Sequence, residues 1–421
     1  MSTARSSGFR KLRLSTVQLS LAAVLQCGQS FRWSIFPLVH ATQDTSLPQY
    51  EYRLCLRDRV VCLRQTPDAL LYRSAFTKAP ESAEEEEQRE TETLSWIRDY
   101  FQLDIDLQSL YEQWAKSDPV FHNLKDRFQG VRILRQDPFE CLLSFICSSN
   151  NNITRITKMV KSLCTQFSSP LLELAPPNTN DTEDDAELEA YHPFPLPSVL
   201  ASPKVVGTLR SLGFGYRAEF IQKTAEILVN AHGTVLDPNT SMEASEKWLH
   251  TLRKESTSAA RAELLKLMGV GRKVADCILL MSLDKREVVP VDTHVHQIAV
   301  KYYKMPSSKV KTMTPKLYNE VNTRLAAIWG EYAGWAHSVL FTSDLKSFST
   351  YGLTQPSTST TPSPDSTVPS PLQSPPPSAA KRKRNCKASI VVSTSIEEEY
   401  SLAQTGSEGL GIAERVKRRK R

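Results

Sequence analysis

The sequence has no run of about 18 apolar residues, so it offers no membrane-spanning helix. Its eight cysteines are Cys27, Cys55, Cys62, Cys141, Cys147, Cys164, Cys277 and Cys386, and no two form a Cys-x-x-Cys pair. That leaves no zinc or iron–sulfur spacing. Scattered thiols in a long chain read as reduced packing residues. Acidic residues are missing from the start: the first is Asp44, well after Arg5, Arg10, Lys11 and Arg13. A basic, acid-free start has the composition of a mitochondrial signal. Strand-like sequence from near Lys11 leaves little room for a cleaved leader, which favours an ordinary basic start over that signal, with a mitochondrial pool left open.

What is present allows two or three domains in 421 residues, with 40% hydrophobic content to build a core. The net charge is +6, but from Tyr351 onward 11 Lys+Arg face 6 Asp+Glu, so the end of the chain carries +5 of it. A nearly neutral body binds nucleic acid only if its positive groups gather on one face.

The pattern predicts an α+β chain. Residues 1–95 read as an N-terminal antiparallel β domain with an acidic linker. Its strands fall at Tyr50–Leu56, Val60–Leu63 and Ala69–Tyr72, with turns at Arg57–Arg59 and Thr66–Asp68. The acidic run Glu81–Glu92 reads as a solvated loop. Residues 96–350 carry helical periodicity. Asp137-Pro-Phe-Glu140 is a helix start: Asp137 caps, Pro138 suits the first position, and Glu140 can reach back to close a capping box. Phe139, Leu142, Leu143 and Ile146 then share a face, and the helix runs out at Ser148–Asn152. Residues 175–198, rich in Pro, Asn, Asp and Glu, read as an inserted surface loop. Residues 351–421 read as a disordered tail, because 20 of the 25 residues from Thr354 to Ser378 are Pro, Ser or Thr. Its basic clusters, Lys381–Arg384 and Lys417–Arg421, point to the nucleus.

The segment with chemical content is 261–283. Leu264, Leu265, Leu267 and Met268 belong to one apolar helix, Gly269-Val270-Gly271 breaks it, and a second helix offers Val274, Ala275, Ile278 and Leu279 for burial. Two glycines around one apolar residue permit a tight hairpin that turns backbone N–H groups toward a phosphate. An ordinary packing corner would share that spacing. Lys273 stands just behind the hairpin, and Asp292 of Pro290-Val-Asp-Thr-His294 follows 19 residues later.

This combination resembles the helix–hairpin–helix DNA glycosylase superfamily, in its bifunctional branch with a nucleophilic lysine. Four further segments narrow the resemblance to the eukaryotic, fungal-like 8-oxoguanine DNA glycosylases: Cys27–Trp33, Phe128–Pro138, Phe145–Arg155 and Leu212–Arg217. The likeness spans about Leu12 to Leu345. It implies excision of 8-oxoguanine, and of formamidopyrimidine, opposite cytosine in double-stranded DNA. It implies an associated abasic-site lyase, a monomer, and no metal or organic cofactor. A structural cation at the hairpin is left open.

Carried over by position, Lys273 and Asp292 are the catalytic residues. Asp292 stabilises positive charge on the sugar, and the Lys273 amine attacks its anomeric carbon to form a Schiff base. A free amine near neutral pH requires a lowered pKa, so Lys273 is expected to be mostly buried. The Gly28 carbonyl takes the N7–H of the damaged base, Cys277 and Phe341 sandwich it, and Pro290 lines its pocket. Asn150, Arg155 and Arg217 read the cytosine, and Tyr216 wedges into the stack. Gly269, Gly271 and His294 meet phosphates.

One residue departs from the family pattern. His337 stands where a glutamine usually meets the Watson–Crick edge of the base. A neutral imidazole has one donor and one acceptor on opposite sides of its ring and cannot repeat a bidentate amide contact. A histidine there also raises the expectation of pH-dependent binding. Within the superfamily, endonuclease-three-type and adenine-specific enzymes carry a four-cysteine cluster that this chain lacks. Alkylation-type enzymes lack the lysine. A catalytically silent DNA-binding module has no use for the Lys273–Asp292 pair.

Overall fold

The computed structural model describes residues 8–38, 46–177, 188–306 and 313–353. Both basic clusters, and with them the tail from Thr354, lie outside the described residues. Residues Met1–Gln355 form one compact unit.

Five strands open the described chain: β1 (Arg10–Arg13), β2 (Ser34–Pro37), β3 (Tyr50–Cys55), β4 (Arg59–Gln65) and β5 (Ala69–Phe76). They pair antiparallel in the order β1-β5-β4-β3-β2. The three central strands are where aromatic and β-branched content between turns places them, and β4 and β5 each run longer. The Thr66–Asp68 turn is closed by Thr66, whose N–H reaches the Ala69 carbonyl at 2.9 Å and whose hydroxyl reaches Asp68 at 2.8 Å. One sheet face buries Leu54, Val61, Leu63, Leu70 and Tyr72 against Ile97, Tyr100 and Phe101.

The acidic run is not a loop. Residues Ala83–Tyr100 form a helix whose N-cap, Ser82, accepts from the Glu85 N–H. Glu84, Glu85 and Glu86 occupy its first turn, where negative charge meets the positive end of the helix dipole. Thr93, Ile97 and Tyr100 supply the buried stripe. A charge run thus hid a helix start, and the boundary expected at residue 95 falls within that helix.

The Pro138–Ser148 helix begins as its sequence dictates. Asp137 caps it, accepting from the Glu140 N–H at 2.9 Å. The capping box stays open, because Glu140 turns instead to Arg32 at 2.7 Å. That largely buried pair ties the chain just before β2 to the helical core. From Pro138 to Cys147 only Glu140 escapes full burial. The helix ends at Ser148, and Asn152 caps the next one, Ile153–Phe167.

The segment expected as a loop at 175–198 is partly regular. Glu189–Tyr191 pairs antiparallel with Leu172–Leu174, and the Pro197–Leu200 helix follows. Tyr191 and Phe194 are buried, which anchors this return to the body. Positions 178–187 lie outside the described residues.

Candidate active site

The site grows from the hairpin. The first helix, Thr257–Leu264, ends earlier than its apolar pattern suggests, and Leu265 is exposed. Gly269 takes φ +79°, and a Cβ there would sit 2.7 Å from the Phe220 ring. Gly271 is different. Its φ is −86°, and a Cβ would meet nothing within 4 Å. The fold requires glycine at 269 and does not require it at 271.

Gly271 precedes the Arg272–Ser282 helix, so Lys273 stands in its first turn. Asp292 is the N-cap of the Thr293–Tyr303 helix. Its Oδ1 accepts from the His294 and Val295 N–H groups at 3.0 Å each. Its Oδ2 lies 4.0 Å from Lys273 Nζ, which sits 5.4 Å from the Phe145 ring centroid. The carboxylate is therefore oriented by backbone and aimed at the amine.

One cavity gathers Gly28, Lys273, Cys277, Pro290, Asp292, His337 and Phe341. Gly28 comes from the loop before β2, with φ +91° and room for a Cβ only 2.9 Å from Ile153 Cδ1. Cys277 lies one turn beyond Lys273 and is buried. Burial pushes its thiol up to about 11, against the pull of Lys273. His337 is 6% exposed, and neither of its ring nitrogens has a hydrogen-bond partner among the described residues. Burial pushes it down to about 4, against the pull of Asp292. Burial thus favours the neutral imidazole near pH 7.

Lys273 meets its sequence expectation in part: most of its side chain is covered, but its amine is not held down. Its side chain keeps 32% of its surface exposed, at the mouth of the cavity. Burial pushes its amine down, but Cys277 and Asp292 outweigh that, and the net direction is upward. An ion pair favours the ammonium wherever water still reaches it.

Beside this cavity runs an open groove that includes Asn150, Gly269, Gly271, Lys273, Asp292 and Thr293. Asn150 is exposed and adopts φ +47°. Tyr216 is 47% exposed, with its hydroxyl donating to the Ser149 carbonyl at 3.2 Å. Arg155, also exposed, donates to the Gly213 carbonyl at 3.1 Å. Arg217 is buried instead. Its guanidinium donates to the Ser149 and Asn150 carbonyls and stacks 4.5 Å from the Tyr216 ring centroid. His294 turns inward too: its ring is 5.1 Å from that of Phe341, and Nε2 is 3.3 Å from an Asp344 oxygen.

Sequence reasoning missed Gln29, Phe145 and Thr342, which also line the cavity. Gln29 was within reach, since it sits inside the Cys27–Trp33 segment. Phe145 was within reach too, since it opens the Phe145–Arg155 segment, whereas nothing in the sequence singled out Thr342. Among the described residues no group of three or more His, Cys, Asp or Glu is placed to hold a metal ion. No described helix is long and apolar enough to cross a membrane.

Residues 11–142 match the family 8-oxoguanine DNA glycosylase, N-terminal domain, and residues 143–322 match the HhH-GPD superfamily of base excision DNA repair proteins. The N-glycosylase/DNA lyase of Saccharomyces cerevisiae is 36% identical over 359 residues, covering 80% of this chain and 86% of that one. The N-glycosylase/DNA lyase of Arabidopsis thaliana is 37% identical over 337 residues, covering 79% of this chain and 80% of that one. The solved structure of MBOgg1 in complex with a low-affinity DNA ligand aligns with a TM-score of 0.59 and 25% identity, covering 81% of this chain and 98% of that one. The 8-oxoguanine glycosylase/lyase of Clostridium acetobutylicum shares the fold at a TM-score of 0.59 and 24% identity, covering 81% and 97%. This chain belongs to the 8-oxoguanine DNA glycosylase family, within the HhH-GPD superfamily of base excision DNA repair proteins.

Proposed function

We propose that this protein flips 8-oxoguanine paired with cytosine out of double-stranded DNA and excises it through Lys273, with formamidopyrimidine as a second substrate. The single observation that carries the reading is the Lys273–Asp292 pair at 4.0 Å, at the mouth of a cavity that also holds Cys277, His337 and Phe341. As the N-glycosidic bond breaks, the base leaves with the bonding electrons and takes up a proton. Asp292 stabilises the positive charge developing on the sugar. The unprotonated Lys273 amine bonds to the anomeric carbon, the sugar ring opens, and a Schiff base forms. Loss of a 2′ proton then expels the 3′ phosphate by β-elimination, which cuts the strand.

The amine must shed its proton before it attacks. A flipped base would fill the cavity and expel water, strengthening the burial that already pulls the Lys273 pKa down. Asn150, Arg155 and Tyr216 meet the place vacated beside cytosine, with Arg217 acting there through the turn that presents Asn150; Gly269 and Gly271 serve the phosphates, and His294 joins them once its ring leaves Asp344. The Gly28 carbonyl reads the N7–H of the oxidised base. His337 offers that base one donor or one acceptor.

Borohydride added to a duplex with 8-oxoguanine opposite cytosine should trap a covalent complex, lost in Lys273→Gln. Absence of base release by the unaltered protein would overturn the reading. Nuclear action is part of the proposal, resting on the Lys381–Arg384 and Lys417–Arg421 clusters. A fluorescent fusion should leave the nucleus when both clusters are replaced by alanine, and unchanged nuclear fluorescence would remove that part.

A further inference from the structure

The catalytic lysine and aspartate come from separate segments, and a third element joins them. Tyr318 lies in the Pro315–Trp329 helix and is 4% exposed. Its phenol donates to Asp276 Oδ2 at 2.6 Å and accepts from the Val291 N–H at 3.2 Å. Asp276 is three residues beyond Lys273 on the same helix and is fully buried. It also takes Arg261 Nε at 2.7 Å, from the other arm of the hairpin, and Arg272 Nε at 3.1 Å. Val291 immediately precedes Asp292. One turn further along Tyr318's helix, Asn322 donates to the Val289 carbonyl at 2.8 Å. The strip Val289–Val291 is therefore gripped on both sides of Pro290, which has no N–H of its own.

We propose that Tyr318 is a positioning residue that sets the spacing of Lys273 and Asp292, by linking the lysine's helix through Asp276 to the backbone that presents the aspartate. Removing the hydroxyl leaves the ring in place, packed under the Arg272 guanidinium at 5.1 Å. It strips the Val291 N–H of its acceptor and frees the strip to shift. Small displacements at a reacting pair cost rate far more than binding.

The assignment rests on the excision reading above, and its test separates the two. Tyr318→Phe is compared with Tyr303→Phe, which deletes a similar phenol–carboxylate bond, to Asp118 at 2.7 Å, away from the site. At a temperature where all three proteins are folded, Tyr318→Phe should lower single-turnover excision of 8-oxoguanine by about ten- to a hundredfold. Affinity for a duplex with a stable abasic-site analogue should stay within about twofold, a change of under 0.5 kcal/mol. Tyr303→Phe should lower thermal stability and leave the rate alone. A second readout needs no substrate: the pH midpoint for reductive methylation of Lys273, followed by mass spectrometry. Loosening Asp292 should lower that midpoint by on the order of half a pH unit in Tyr318→Phe only.

An unchanged rate with an unchanged midpoint overturns the assignment, as does an equal loss in Tyr303→Phe. If the unaltered protein releases no base, the excision reading falls, and the Lys273 midpoint alone decides the role of Tyr318.

Discussion

Lys273 Nζ stands 4.0 Å from Asp292 Oδ2, a carboxylate whose other oxygen is held by the His294 and Val295 N–H groups. The two oxygens thus have separate tasks, one structural and one facing the site. Asp292→Asn keeps the capping oxygen and removes the charge, and asparagine caps as well as aspartate. Thermal stability should change little while single-turnover excision falls by about 10²–10³. Excision within threefold of the unaltered protein would remove Asp292 from the chemistry.

His337 makes stability depend on acid. Its folded pKa of about 4 lies below the ordinary histidine value, so below pH 6.5 the unfolded chain binds more protons than the folded one. Stability is therefore full above about pH 6.5 and declines as pH falls toward 4, by about 3 kcal/mol from this group. His337→Gln should flatten that part of the curve. Denaturant titrations at pH 7 and pH 4.5 check this, and an equal loss in both proteins refutes it.

The two hairpin glycines should separate by phenotype. Gly269→Ala forces a side chain into left-handed backbone against the Phe220 ring and should cost about 2 kcal/mol or more in urea unfolding. Gly271→Ala meets no protein atom and should leave stability near that of the unaltered protein. Its cost should fall on duplex affinity, because a methyl group there stands where a phosphate would approach. Equal duplex affinity in Gly271→Ala would show that the hairpin does not contact DNA at this position.

Arg217 is spent on the Ser149 and Asn150 carbonyls, so it shapes the turn that presents Asn150. Arg217→Ala should reduce the preference for cytosine over adenine opposite the lesion by about tenfold or more. Arg217→Lys should not restore it, since an ammonium cannot reproduce the guanidinium fork. Excision rates from the two duplexes give the ratio, and an unaltered ratio in Arg217→Ala rules out its part in reading the opposite base.

Local signals were legible where they acted over a few residues. Short aromatic and β-branched runs between turns in Tyr50–Tyr72 marked β3, β4 and β5, and Asp137-Pro138 marked a helix start. The apolar Phe139–Ile146 face is as buried as its spacing demands. Local reading failed where a remote partner won. Glu140 left its capping box for Arg32, 108 residues earlier in the chain. The Glu81–Glu92 run became the head of a helix because Thr93, Ile97 and Tyr100 found a sheet to cover.

The sequence alone determined which groups the chemistry has to work with. Lys273 behind Gly269-Val270-Gly271, and Asp292 19 residues on, are choices of residue type and spacing, and covalent order carries them intact. Only the tertiary structure decided their state. The exposure of Lys273, the neutrality of His337 and the bridge through Tyr318 depend on distances between segments far apart in the chain. Charge and hydrogen-bond energies depend steeply on such distances and on the water excluded around them, neither of which residue order specifies.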